Sequence, residues 1–272
     1  MKKIIFGIAL CFSLGVKAQE NKLEKLWETE AVIAIPESVL HAGKKKLYVT
    51  LIDGAPWEAD GKGGVGIMNA KGENYNGAWI TGLNAPKGMA LKGKKLYVAD
   101  LSELVVINTK KGVIEKKIAI PGATGLNDVT ITNSGIIYIS DSRTGKVWRV
   151  ENETPVLYLD SLTGVNGLKA VGDDLIIAAG KSFISVNAQK QKTKIADLPQ
   201  GGDGIEPIGN GDYLVTTWAG QVYYVHADGK VDIILDTMAE KKNTADIGYD
   251  PKKRIMYVPT FNAKTVVAYR VK

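Results

Sequence analysis

Five polar residues occupy one position of a repeated sequence pattern, and four of them could together hold a cation. They open successive repeats in the segments Pro36-Glu37-Ser38, Pro86-Lys87-Gly88, Asn127-Asp128, Asn166-Gly167 and Asp203-Gly204. Carboxylate and amide oxygens without cysteine or histidine suit a hard ion. The sequence therefore predicts a divalent metal, Ca²⁺ first and Mg²⁺ or Mn²⁺ as alternatives, held by Glu37, Asn127, Asn166 and Asp203.

A turn-forming role is the alternative for these residues. Asn-Gly and Asp-Gly are ordinary turn sequences, and they account for Asn166 and Asp203. They do not account for Glu37 and Asn127, because neither is followed by glycine. Lys87 has the same position in its repeat, and its ammonium would compete with a cation unless it points away or meets an anionic substrate.

A sixfold repeat is what would bring these residues together. The repeats superpose on a set of small or acidic residues, 37 to 50 residues apart: Ser38, Gly88, Asp128, Gly167, Gly204 and Asp246. Each opening precedes a short β-branched or aromatic strand, a turn, a third strand and a more polar fourth strand. Four strands per unit at a period near 40 are typical of a propeller blade. The sequence predicts an all-β fold, a six-bladed β-propeller with four-stranded blades, in which residues of equal phase line the channel at equal height.

The two ends of the chain are predicted to complete the last blade together. The sixth repeat reaches Lys272 without a fourth strand, whereas Leu23–Thr29 has the pattern of one. We expect this N-terminal strand to pair with Val266–Val271 and close the ring, which removes exposed sheet edges. A disordered tail is the alternative. The propeller is expected to be a single domain over residues 19–272.

The loops between second and third strands are expected to surround the channel end that holds the polar residues. We therefore predict a group of substrate-binding residues from these loops and the layer beneath: Trp57, Lys87, Asn127, Arg143, Trp218 and Phe261. The loop Asp53–Gly61, within an insertion at 53–64, is longer than its counterparts. We expect it to cover the mouth as a lid with Trp57 as its apolar contact. A passive surface insertion is the alternative.

The first residues predict an exported protein. Met1-Lys2-Lys3 is basic, an apolar run extends from Ile4 to Val16, and Val16-Lys17-Ala18 resembles a cleavage site. The apolar run is shorter than the roughly 20 residues that a bilayer requires. We therefore expect a signal peptide over residues 1–18, a periplasmic or secreted mature protein, and no membrane attachment after cleavage. A core helix is the alternative.

Cleavage would leave a protein of modest charge and without cysteine. It removes Cys11, the only cysteine, so no disulfide is expected. Loss of Lys2, Lys3 and Lys17 lowers the formal charge from +6 to +3, which argues against nucleic acid as a partner. The sequence favours a monomer that binds a small-molecule substrate or ligand.

Four short segments resemble motifs of the gluconolactonase and senescence-marker-protein (regucalcin) family of six-bladed propellers. The resemblance implies a metal on the channel axis, held by Glu37, by Asn166 in Asn166-Gly167-Leu168 and by Asp203 in Asp203-Gly204-Ile205. Asn127, in an Asn-Asp segment, would help to bind metal or substrate. The chain departs from the family in reading Glu37-Ser38-Val39-Leu40-His41 for Glu-x-Pro-x-Trp, and in having Gly125 in place of an arginine.

The resemblance implies a metal-dependent hydrolase of a lactone or an ester. The metal would polarise the carbonyl and lower the pKa of a bound water, and Asp203 would be both ligand and general base. A non-catalytic periplasmic propeller that binds a small ligand or a protein partner is the alternative, because propellers carry many unrelated functions.

Overall fold

Short apolar runs separated by polar turns form 24 strands and one 3₁₀ helix in the computed structural model, which describes residues 22–43 and 45–272. The strands form six antiparallel four-stranded sheets that are the blades of a propeller. The predicted signal peptide lies outside the described residues. Within the described ranges, no helix has the length and apolar character needed to cross a bilayer.

The strands follow one another blade by blade around the ring. Strand β1 covers Leu23–Glu28, and blade 1 contains β2 (Pro36–His41), β3 (Lys46–Leu51), β4 (Gly63–Asn69) and β5 (Asn76–Leu83). Blade 2 contains β6 (Pro86–Lys92), β7 (Lys95–Asp100), β8 (Glu103–Asn108) and β9 (Val113–Ala119). Blade 3 contains β10 (Leu126–Ile131), β11 (Ile137–Asp141), β12 (Lys146–Glu151) and β13 (Thr154–Leu159).

The second half of the ring repeats this order. Blade 4 contains β14 (Val165–Val171), β15 (Asp174–Ala179), β16 (Ser182–Val186) and β17 (Lys192–Asp197). Blade 5 contains β18 (Ile205–Gly209), β19 (Asp212–Thr217), β20 (Gln221–Val225) and β21 (Val231–Asp236). Blade 6 contains β22 (Gly248–Asp250), β23 (Ile255–Pro259), the 3₁₀ helix Phe261–Ala263 and β24 (Val266–Val271), and β1 completes it.

The hydrophobic core lies between neighbouring blades. One cluster joins Val49 of blade 1 to Tyr257 of blade 6, and another joins Tyr48 of blade 1 to Val98 of blade 2. Because the second strand of a blade is covered on both faces, β23 is buried along its whole length. This explains why these strands are continuous apolar runs. The predicted six-bladed fold is confirmed.

Hydroxyl groups of second strands connect the inner strands of adjacent blades. Ser140 Oγ accepts a hydrogen bond from the Asp128 backbone N–H at 2.9 Å and donates to the Asn166 backbone oxygen at 2.6 Å. Thr216 Oγ1 repeats this arrangement between blades 5 and 6, with both bonds at 2.8 Å. These bonds fix the height of one inner strand relative to the next, and therefore position the residues that line the channel.

The N-terminal strand closes the ring as predicted. Strand β1 pairs antiparallel with β24, from Leu23 opposite Val271 to Glu28 opposite Val267. Trp27 packs against the cluster between blades 1 and 6, with its ring centre 5.9 Å from that of Tyr257.

Hydrogen bonds to the Glu28 carboxylate connect the closing strand to residues near β24. The carboxylate accepts hydrogen bonds from Lys242 Nζ at 2.6 Å, Thr265 Oγ1 at 2.9 Å and Lys25 Nζ at 2.6 Å. Burial opposes ionisation, but the bonds from Lys242, Lys25 and Thr265 outweigh it and lower the pKa of Glu28 to about 2. The ionised carboxylate therefore stabilises the folded ring.

We predict that Glu28→Gln lowers the free energy of unfolding at neutral pH by about 1 kcal/mol after solvent screening. The lowered pKa means that the native protein loses this contribution as the pH falls from 4.5 towards 2. The difference between wild type and variant should therefore shrink over that range in urea titrations. Glu24→Gln on the same strand, 3.6 Å from Arg270 at the surface, is the control and should change little. A Glu28→Gln difference that does not depend on pH would contradict this account.

Candidate functional site

A β-bulge interrupts each of the first four inner strands at the predicted site position. The pairing register shifts at equivalent places in the four blades, between Pro36 and Val39, Pro86 and Met89, Leu126 and Val129, and Val165 and Leu168. Bulges re-aim side chains and often occur next to active sites. In blades 5 and 6 the equivalent residues, Asp203 and Ala245, precede the first regular strand.

Glu37 lies at the centre of the resulting cluster. It is buried, and its charge interacts with side chains from four other blades. Burial raises the pKa of Glu37 well above its ordinary value, Lys87 opposes this, and Asp203, Asp246 and Asp128 add to it. Residues of five different blades can act on one another only near the axis, so the site is at the channel.

Asp203 acts on Glu37, and the Asn166 side chain lies beside Asp203. Burial raises the pKa of Asp203 to about 8; Asp246 adds to this, whereas Lys87 and the neighbouring Asn166 side chain oppose it. A carboxyl group with such a pKa can take up or release a proton near neutral pH. The structure thus brings Asp203 close both to Glu37 and to Asn166.

Two oxygens of this group have no hydrogen-bond donor. Glu37 Oε2 and Asn166 Oδ1 are buried and unpartnered within residues 22–43 and 45–272. Leaving buried acceptors unpaired costs about 1–3 kcal/mol each, and a cation or a water bound to these oxygens would remove that cost. In the same ranges, no three Asp, Glu, His or Cys side chains could hold an ion by themselves. An ion here would therefore need the amide oxygens as ligands.

Asn127 is oriented by Ser142, a residue of the loop between β11 and β12. Its Nδ2 donates to Ser142 Oγ at 2.9 Å, which leaves its amide oxygen available. The adjacent Arg143 is exposed and lies over Gly125, where a Cβ would come within 2.4 Å of its Cγ. Glycine at position 125 therefore makes room for Arg143 beside Asn127.

Lys87 is turned towards the long loop of blade 1. Its Nζ donates to the Pro56 carbonyl oxygen at 2.9 Å and lies 4.3 Å from the centre of the Trp57 ring. It makes no ion pair with an acidic side chain among the described residues. Burial lowers the pKa of Lys87, whereas Glu37, Asp203 and Asp100 raise it. The loop thus reaches the channel and contacts a residue of the site layer.

The other two predicted aromatic residues form a pair contributed by the adjacent blades 5 and 6. Trp218 and Phe261 stack edge to face with ring centres 5.5 Å apart, and Trp218 is 48% exposed. The two histidines are elsewhere. His226 lies 2.9 Å from Asp232 in blade 5, and His41 lies at the far end of β2.

A second charged layer beneath the site was not predicted in full. Lys169 Nζ and Glu206 Oε2 are 2.8 Å apart and line a cavity of about 20 Å³ together with Asp128 and Asp246. Both new residues stand three positions after a site residue of their repeat. Strand alternation would place such residues on the other face. In blade 4, the bulge between Val165 and Leu168 adds one residue and turns Lys169 inward. In blade 5, Asp203 lies before β18 begins at Ile205, so alternation does not apply between Asp203 and Glu206. Lys169 and Glu206 have opposite charges at the same position of two neighbouring repeats. This pattern was the sequence signal that could have identified them as a pair.

Three comparisons bear on the class of protein. No model of a known protein family matches the chain, and no curated protein matches it. Among solved structures, a catalytically inactive variant of virginiamycin B lyase from Staphylococcus aureus, solved with quinupristin, is similar at 14% identity and a TM-score of 0.67, over 92% of this chain and 99% of that one. A streptogramin B lyase is similar at 11% identity and a TM-score of 0.65, over 92% and 97%.

A chain of a nidogen–laminin complex is similar at 15% identity and a TM-score of 0.67, over 79% of this chain and 85% of that one. At these identities the similarity shows the fold alone. The protein is a six-bladed β-propeller, and its resemblance to the gluconolactonase family stays a prediction.

We predict that Gly167→Ala disrupts the site. A Cβ at Gly167 would lie 1.8 Å from the Asp203 backbone oxygen, so the two blades must separate where Asn166 meets Asp203. We expect a loss of about 3 kcal/mol in urea unfolding. Gly201→Ala is the control, because its Cβ would meet its nearest atom at 3.8 Å; it should stay within about 0.5 kcal/mol of wild type. Equal stabilities of the two variants would refute this packing argument.

Proposed function

We propose that the protein is a hydrolase of a lactone or an ester, with a divalent cation, Ca²⁺ first, at the mouth of the channel. The convergence of Glu37, Asn166 and Asp203, with two buried oxygens that lack donors, is the observation that supports this proposal. The signal-like sequence of residues 1–18 supports a periplasmic or secreted location.

The donor types fit such an ion. Glu37, Asn166 and Asp203 would hold it, with Asn127 as a further ligand or a substrate contact. Neutral amides cost less to desolvate than additional carboxylates, so two acids and two amides balance one dication. When bound, the ion would polarise the substrate carbonyl and acidify a water molecule.

The side chains around the ion site would accept the proton and position the substrate. Asp203, buried beside the ion site, would accept a proton from the attacking water. Asn127, oriented by Ser142, would position the substrate. Lys87 and Arg143 would face polar groups of the substrate.

Aromatic residues at the rim would cover the less polar part of the substrate. We assign this role to Trp57, Trp218 and Phe261. Trp57 belongs to the loop that contacts Lys87, and the other two, from the adjacent blades 5 and 6, stack on each other.

A non-catalytic propeller that binds a ligand or a protein is the second candidate. The exposed Trp218 favours it, because tryptophan is enriched at protein interfaces. One propeller of similar fold belongs to a nidogen–laminin complex. Under this proposal the rim, rather than the carboxylates below it, would determine binding.

The decisive experiment replaces Asp203 by Asn and measures Ca²⁺ binding by calorimetry and hydrolysis of δ-gluconolactone and 4-nitrophenyl acetate. Loss of the ligand and base should weaken Ca²⁺ binding and lower hydrolysis by about 10²-fold or more. Asp197→Asn makes the same chemical change at the surface, where Asp197 pairs with Lys194, and should do neither. If Asp203→Asn binds Ca²⁺ and hydrolyses these substrates as wild type does, the proposed site is wrong.

A further inference from the structure

Lys87 connects the site layer to the long loop of blade 1. Its backbone is part of the inner strand β6, beside the carboxylates. Its ammonium group is bound to the mouth loop, by which we mean residues 53–62 between β3 and β4. One hydrogen bond and one cation–π contact make this connection, and the side chain is only 2% exposed.

We propose that Lys87 couples the mouth loop to the ion site: it keeps the loop closed when it points up, and competes with the ion when it points down. This inference rests on the proposed ion site. It assigns Lys87 as a positioning residue that sets the affinity for the ion and the state of the loop together.

Two positions for the ammonium follow from the charges around it. Upward, it meets the Pro56 carbonyl and the Trp57 ring, as observed. Downward, the acidic groups of Glu37 and Asp203 attract it, and both act on it in the present structure. The four-carbon stem of a lysine is flexible enough to serve both positions.

An ion between Glu37, Asn166 and Asp203 would exclude the downward position. It would repel the ammonium at short range in a site of low dielectric constant. The ammonium would then stay bound to Pro56 and Trp57 and hold the mouth loop closed over the ion. Because coupling is reciprocal, anything that weakens the upward position must also weaken binding of the ion.

Two substitutions should therefore change the affinity for Ca²⁺ in opposite directions, while both increase opening of the mouth loop. Lys87→Met removes both the competing charge and the anchor of the loop. Ca²⁺ should bind about ten-fold more tightly, and the loop should open more often. Trp57→Ala removes the cation–π contact but keeps the charge. The loop should again open more often, but Ca²⁺ should bind more weakly.

The experiment uses the full mature chain with Ca²⁺ as the probe. Calorimetry gives the affinity, and hydrogen exchange followed by mass spectrometry gives the protection of residues 53–62. In wild type, Ca²⁺ should slow exchange in the mouth loop; in Lys87→Met, exchange should be fast with or without Ca²⁺. Lys181→Met, which removes an exposed charge from the turn between β15 and β16, is the control and should behave as wild type.

The outcomes separate this inference from the proposed function. Equal Ca²⁺ affinity of wild type and Lys87→Met, or unchanged loop protection in the variant, would overturn the inference and leave the hydrolase proposal standing. Tighter binding in Lys87→Met with no hydrolysis by wild type would support the inference and refute the hydrolase. Absence of Ca²⁺ binding in both proteins would overturn both.

Discussion

Closure of the ring buries charged side chains of the inner segments along the channel axis. The inner strands approach so closely that a Cβ on Gly88 would lie 2.5 Å from the carboxylate of Asp128. Burial therefore raises the pKa of every acid on the axis, among them Glu37, Asp203 and Asp246. A buried charge without a partner is costly, so each acid needs a bond, a counter-ion or a proton.

The two layers of the channel meet this need differently. In the lower layer the acids are satisfied from neighbouring blades: Asp128 accepts from the Leu168 backbone N–H at 2.6 Å, and Asp246 accepts from Ser38 Oγ. The upper layer leaves Glu37 Oε2 and Asn166 Oδ1 unsatisfied. Unsatisfied groups at the accessible end of a channel are what binding requires, because a ligand can then gain the stabilisation that the fold does not supply.

The sequence was sufficient for the architecture because every blade repeats the same apolar pattern. The closing strand could be predicted from Trp27 and its neighbours, and equal repeat phase was enough to select Glu37, Asn166 and Asp203 as a group. The roles of these residues stay predictions. The bulge in blade 4 and the irregular segment before β18 depend on contacts between blades and could not be predicted, so Lys169 and Glu206 were missed. The Lys87 side chain points towards the loop because its ammonium binds the Pro56 carbonyl oxygen, thirty-one residues away. The sequence pattern around Lys87 does not contain this information.

Crystals of the mature protein soaked in Mn²⁺ would test the central claim most directly, because anomalous scattering locates the ion without assumptions about activity. The account predicts one strong anomalous peak at the channel mouth, at bonding distance from Glu37 Oε2, Asn166 Oδ1 and an Asp203 carboxylate oxygen. A map with no peak there, or with Mn²⁺ bound only at the protein surface, would contradict it.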